Sequence, residues 1–396
     1  LKERLRDRKY DYTILVITIV LVMLGIIMVF SASFYQAENS AKYNNDGLYF
    51  FKKQILGAVM GLAAMIAGML FDYHKFEKIK YWGLLVAVIM LALVFVPGVG
   101  IEINKSHRWI DLGITTIQPS ELAKFFLIVT IAKILHDNQP KIKSFIYGIW
   151  PVLAVVAVIA AVIYKQPNFS AIMIIVAIAF VMMFAAGSNL FYLLGFVVLA
   201  AGAAAYVLTT QDYVRVRLFA YLTPELDPLG KGYQILQSLY AIGSGGVLGR
   251  GLGNSMQKFL YLPYGESDFI FSILCEELGF VGALVLIGLF IVLIYHGIRT
   301  ALRSSDVFGM LLATGITVMI GLQVLLNIAV ATRAIPPTGV SLPFISQGLT
   351  ALVMFMGEVG ILLNISYQGN RFQDQLASRK KGSAKQTRRP SSIKGH

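Results

Sequence analysis

Apolar runs of about twenty residues recur along the whole chain, and no other feature limits its fold as strongly. A helix needs ~20 mostly apolar residues to cross a bilayer core. In hydrocarbon each backbone N–H and C=O must be satisfied within the segment, so such runs fold as helices. The runs fall at about 12–34, 51–71, 81–97, 120–136, 145–164, 168–186, 190–209, 269–297, 307–331 and 347–367. The expected fold is therefore all-α, a polytopic integral membrane protein of about ten transmembrane helices, with residues 12–368 as its membrane domain. Only 14% of the residues are charged against 57% apolar or aromatic, which excludes a soluble globular enzyme and a disordered chain. The runs are continuous rather than alternating, which excludes an outer-membrane barrel.

The net charge of +13 belongs with this topology rather than with nucleic acid. With the N-terminus in the cytoplasm, 20 of the 34 Lys and Arg residues fall on the cytoplasmic side. They include the basic stretch within residues 1–11 (Lys2, Arg4, Arg6, Arg8, Lys9), Lys75, Lys78, Lys80, Lys141, Lys143, Arg299 and Arg303. Ten spans return the C-terminus to that side, and the basic tail 369–396 is expected to be disordered or bound to lipid. The single cysteine, Cys275, forms no internal disulfide or Cys-rich metal site. The five histidines show no zinc spacing, and His74 and His136 fit membrane interfaces better than a metal.

Residues 210–268 interrupt the pattern with a long loop on the outer face, between the seventh and eighth spans. Within it, Tyr233, Leu236, Leu239, Tyr240 and Ala241 share one helical face, which predicts a short amphipathic helix in the interface. The glycine-rich stretch Gly243 to Gly253 lacks the P-loop Lys-Ser/Thr pattern and fits tight turns and close packing against spans.

Ionisable groups inside a bilayer are costly and default to functional hypotheses. Glu121, Lys124, Lys133, Glu276, Glu277 and Glu358 are such groups. Glu121 and Lys124 are neighbours on one helix face, either a self-neutralising pair or an anchor in a polar cavity. Glu276 and Glu277 point about 100° apart on a helix, so at least one faces protein or water. Asp268 sits at the outer mouth of the eighth span, either as a helix cap or as a general base. Arg108, Arg215, Arg217, Lys231, Arg250 and Lys258 fit an anionic group such as a pyrophosphate, or phospholipid at the interface.

Several motifs, in order, resemble the FtsW/RodA/SpoVE family of shape, elongation, division and sporulation proteins. They are Arg108-Trp-Ile, Gln118 to Lys124, Pro224 to Pro228, Gly232 to Ser238, Gly251 to Lys258, Tyr261-Leu-Pro, Asp268-Phe-Ile-Phe, Glu276-Glu-Leu-Gly279 and Thr338 to Ser346. The resemblance covers most of the chain and sits closer to the division and sporulation branches than to the elongation branch. It implies a glycosyltransferase of the bacterial cytoplasmic membrane that polymerises lipid II into peptidoglycan strands. Its partners would be a class B penicillin-binding protein and other division or sporulation wall proteins. It also implies that Asp268 is the essential outer-loop carboxylate and that Glu121 and Lys124 are the family's polar pair. Arg108, Arg217 and Lys258 match basic positions for a pyrophosphate, and a divalent cation (Mg or Mn) is the one cofactor this chemistry suggests. The sequence departs from the family at Lys105, His107, Asn168, Ser267 and Gln347. The competing readings are a lipid II flippase, with Glu121, Lys124 and Glu358 along its path, and a non-catalytic scaffold for a penicillin-binding protein.

Overall fold

A computed structural model describes residues 10–103, 106–111, 113, 116–226, 232–259 and 261–386. The basic N-terminal stretch, Lys105, Asp227, Pro228, Lys231 and tail residues 387–396 lie outside the described residues. Each of the ten apolar runs is a helix: α1 (Tyr12–Glu38), α2 (Tyr49–Leu70), α3 (Lys75–Leu93), α4 (Pro119–Asp137), α5 (Trp150–Tyr164), α6 (Phe169–Ala185), α7 (Leu190–Thr210), α10 (Ile270–Leu302), α11 (Val307–Ala331) and α12 (Leu349–Gln386). Two further helices, α8 (Asp212–Leu222) and α9 (Tyr233–Gly245), lie in the long loop. Among the described residues, seven helices are long and apolar enough to cross a membrane by length and composition. The other three expected spans are the shorter apolar stretches Tyr81–Leu93 and Phe169–Ala185, and α4, which carries Glu121, Lys124, Lys133 and Asp137. From residue 369, where the sequence predicts a tail that is disordered or bound to lipid, α12 continues as helix to Gln386.

Local chemistry sets several helix starts. Asp11 caps α1 by accepting from Thr13 N (3.1 Å), and its other oxygen meets His296 Nδ1 of α10 (2.7 Å). Asp306 caps α11 through Gly309 N (2.8 Å). Asn168, where the family usually has Asp, caps α6 through Ala171 N (3.3 Å), a role either residue can fill. His74 bridges two carboxylates, with Nδ1 2.7 Å from Asp72 and Nε2 3.3 Å from Asp306. The buried core is shared by all ten long helices, with α12 against α2, α10 against α1 and α11, and α4 against α3 and α11. A three-stranded antiparallel sheet fills the α3–α4 connection: β1 (Gly100–Ile103), β2 (Ser106–Asp111) and β3 (Thr116–Ile117), in the order β1-β2-β3.

The long loop differs from its expected form. Helix α9 forms, and it packs along α10. The Ser238 and Ser272 hydroxyls meet at 2.7 Å, and Gly245 packs on the Cys275 carbonyl. The glycine-rich turn then enters a break in α10 at Gly279, about 14 Å of helix rise below Ile270. There Gly251 N donates to Glu277 O (3.0 Å), and Phe280 N donates to Gly246 O (2.9 Å). The returning chain is irregular, and two carboxylates satisfy it. Glu276 accepts from Met256 N (3.0 Å), Gln257 N (3.3 Å), Ser244 Oγ (3.2 Å) and Ser255 Oγ. Glu277 accepts from Ser255 N (3.4 Å) and from Ser31 Oγ of α1 (2.6 Å). Both carboxylates therefore face protein.

Gly279 has φ +69°, and a Cβ there would lie 2.3 Å from Gly249 N and 2.5 Å from Val247 O. Gly279→Ala therefore combines left-handed strain with a backbone collision and is expected to cost about 2–4 kcal/mol. Thermal unfolding in detergent, compared with an alanine substitution at the open position Gly288, measures the loss.

Candidate functional site

Asp268 lies on a turn that leads into α10. Tyr264, at φ +58°, turns the chain so that its carbonyl accepts from Ser267 N (3.1 Å), Asp268 N (3.1 Å) and Phe269 N (3.3 Å). The segment between α11 and α12 closes over this turn, and hydrogen bonds stitch the two together. Asn327 Nδ2 of α11 donates both to Asp268 O (2.9 Å) and to Val340 O (2.8 Å). Ser346 Oγ donates to Ser267 O (2.6 Å) and accepts from Leu342 N (2.8 Å). Gln347 N donates to Glu266 O (2.9 Å), a contact through the backbone that the departure at this position leaves intact. Gly339, at φ +70°, passes so close that a Cβ would stand 3.4 Å from Asp268 Oδ2.

The charges of two guanidiniums reach the carboxylate. Arg217 comes from α8, and its Nη1 donates to Pro337 O of the closing segment (3.1 Å). Arg108 comes from β2, where it donates through Nε to Gln166 O (3.4 Å) and through Nη2 to Pro167 O. Gln166 is itself fixed by Nε2 donating to Leu91 O (2.8 Å). His107, beside Arg108, has its ring 6.4 Å from that of Phe95. Helix α8 is held to the closing segment by Tyr221 Oη on Ala334 O (3.1 Å), and the Glu225 just beyond it pairs with Arg333 (3.0 Å).

The Asp268 side chain is partly exposed, in a recess surrounded by protein. Burial raises its pKa to about 6, against the pull of Arg217 and Arg108. The cap reading has no support here, because α10 shows no side-chain cap bond. The site thus holds a carboxylate that is anionic at neutral pH, still basic enough to take a proton, and beside fixed positive charge. That combination suits proton removal from a hydroxyl while negative charge develops nearby. Among the described residues no three His, Cys, Asp or Glu side chains come together to hold a metal ion. The guanidiniums are the positive charge that the chain itself brings to the carboxylate.

The other sequence candidates lie apart from this trio. Lys124 Nζ is 2.8 Å from Glu121 Oε2, and the residues are 2% and 6% exposed. Their charges act on Glu358 of α12, which is 1% exposed with neither carboxylate oxygen hydrogen-bonded among the described residues. Lys258 Nζ donates to Gly253 O and lies 3.8 Å from Glu277 Oε1, so it braces the re-entrant loop. One residue went unassigned in the sequence reading. Glu266, two residues before Asp268, is a 6% exposed carboxylate. Its signal is an acidic residue beside a candidate base with no basic neighbour along the chain.

A family model described as cell cycle protein and covering FtsW, RodA and SpoVE matches residues 12–371. The chain is 43% identical to stage V sporulation protein E of Bacillus subtilis over 358 residues, 90% of this chain and 96% of that one. It is 40% identical to the probable peptidoglycan glycosyltransferase FtsW of Geobacter metallireducens over 358 residues, 90% of this chain and 95% of that one. Among solved structures, it is similar to one described as structural coordination of polymerization and crosslinking by a peptidoglycan synthase complex. That match has 27% identity and a TM-score of 0.74, and covers 91% of this chain and 98% of that one. It is also similar to the rod shape determining protein RodA of Thermus thermophilus, with 25% identity, a TM-score of 0.64, and coverage of 92% and 99%.

Replacing Asn327 with Leu strands two carbonyls that its amide now serves. The expected loss is about 1–3 kcal/mol per carbonyl left buried without a donor, read as a lowered thermal midpoint. An unchanged midpoint would show that Asn327 does not hold the closing segment to the Asp268 turn.

Proposed function

The chain belongs to the FtsW/RodA/SpoVE family of cell cycle proteins, and from that premise we propose that this multi-pass membrane peptidoglycan glycosyltransferase polymerises lipid II. The observation that carries the reading is Asp268 within reach of the positive charges of Arg217 and Arg108, in a chain similar over 90% of its length to a probable peptidoglycan glycosyltransferase.

In the proposed reaction Asp268 takes the proton of the 4-hydroxyl on the GlcNAc of one lipid-linked substrate. The freed oxygen attacks the anomeric carbon of the MurNAc on the other, with inversion. The bond to the pyrophosphate breaks as the new glycosidic bond forms, and undecaprenyl pyrophosphate departs. Arg108 and Arg217 stabilise the charge that develops on the leaving group. Both are held by backbone carbonyls, so little reorganisation is needed as that charge grows.

The Asp268 end of the bundle is assigned to the outer face, because Lys75, Lys141, Lys143, Arg299, Arg303 and Arg371 cluster towards the opposite helix ends. Both termini are then cytoplasmic. A class B penicillin-binding protein is the proposed partner, on the strength of the similar synthase complex that joins polymerization to crosslinking. Division or sporulation is the proposed setting, from the FtsW and SpoVE relatives.

Asp268→Asn keeps the shape and removes the base. Glycan formation from purified lipid II is expected to fall by about 10²- to 10⁴-fold with the fold unchanged. Full activity in that variant would remove Asp268 from the chemistry, and lipid II movement across proteoliposomes without chain growth would favour the flippase reading. Because the working form is the anion, activity is expected to rise with pH through a limb near 6 and to be lost below it. A flat rate–pH profile from 5 to 7 would contradict this assignment.

A further inference from the structure

Each glycosidic bond leaves a proton on the base, and a polymerase must clear that proton before the next bond. The partly exposed face of Asp268 opens on the recess that the two substrates fill during the reaction, so its direct path to water is blocked when the proton must leave. Behind that face its turn is covered by the segment carrying Gly339 and latched to it through Asn327 and Ser346. Its charged neighbours, Arg108 and Arg217, accept no proton.

Glu266 shares the turn. Its backbone carbonyl is held by Gln347 N, so its place relative to Asp268 is set by the same closing segment. Its side chain is buried and no cation pairs with it among the described residues. Its carboxyl hydrogen-bonds Gln36 near the end of α1, and its charge reaches Tyr43. Tyr43 ends the short 3-10 turn Ala41–Tyr43, where Ala41, Lys42, Asn44 and Asn45 are exposed. Glu266 therefore links the turn of the base, through Gln36 and the neighbourhood of Tyr43, to an exposed turn.

We propose that Glu266 is the proton-exit residue of the glycosyl transfer, taking the proton from Asp268 after each bond and releasing it to solvent beside Tyr43. The inference rests on Asp268 being the base. The balance closes without a co-reactant. The proton of the acceptor hydroxyl goes to the Asp268 carboxylate, then to the Glu266 carboxylate, then to a base in bulk solvent, and both carboxylates return to their starting state. The first hop is close to even: burial, with the nearby charge of Asp268, raises Glu266 to about 7, and burial raises Asp268 to about 6, so either carboxyl can hold the proton.

The test uses the full-length protein and lipid II in rapid-quench assays, with Glu266→Gln and Glu266→Asp variants. In Glu266→Gln the first bond is expected at a rate within about twofold of the parent, with steady-state polymerisation at least about tenfold slower. Added imidazole should restore the slow phase in a concentration-dependent way and leave the parent unchanged. Glu266→Asp, which keeps a carboxylate, should retain most of the steady-state rate. Equal loss in both phases, no loss at all, or a slow phase that imidazole leaves unmoved would each overturn the proposal. Asp268→Asn separates the two ideas, since it should slow even the first bond by about 10²- to 10⁴-fold. A first bond at the parent rate there would refute the base assignment whatever Glu266 does.

Discussion

The burial of irregular backbone inside a helix bundle is the constraint on which the rest of this architecture depends. Non-helical chain at such depth must find donors and acceptors within the protein. Here Glu276 and Glu277 serve the returning arm of the long loop, and the exposed carbonyls and amides around Gly279 pair with the glycine-rich turn. Charge inside the bundle is thus spent on backbone amides and hydroxyls. Ser31 of α1 joins the same network, which ties the first helix to the broken one. With that break filled, the upper part of α10 is held against α9 and α1, and the Asp268 turn that precedes it has a fixed base.

The electrostatics of the site follow from how the chain surrounds that turn. Two carboxylates two residues apart point into different settings, one reached by the charges of two guanidiniums and one buried beside neutral amides and phenols. Both lose hydration, but only Asp268 gains compensating positive charge. Separation of proton affinities by environment is how one turn can carry unlike roles. The Glu121–Lys124 pair differs again. It is buried and self-neutralised, and Glu358 beside it adds a buried carboxyl with no hydrogen bond among the described residues.

Much of this was legible in the sequence, for reasons that also mark where legibility ends. The ten helices follow from hydropathy, a local property. Asp268 stood out because a carboxylate next to a long apolar run is conspicuous, and the resemblance lifted it from cap to base. The amphipathic character of α9 was plain from its spacing, but its direction was not, because that is set by Gly245 meeting Cys275 and Ser238 meeting Ser272. The sheet carrying Arg108 was missed because its strands are short and Ile101 pairs across to Trp109 in a stretch bracketed by apolar spans. The environments of Glu266, Glu358 and Lys258 depend on partners tens to hundreds of residues away, which no periodicity reports.

The single amide of Asn327 grips the base-bearing turn with one hand and the overlying segment with the same hand. Roof and floor of the recess therefore share an anchor on α11, and Ser346 and Gln347 tie them to each other directly. A displacement of that helix pulls on both surfaces at once, so the gap between them is set by short hydrogen bonds rather than by the position of any one span.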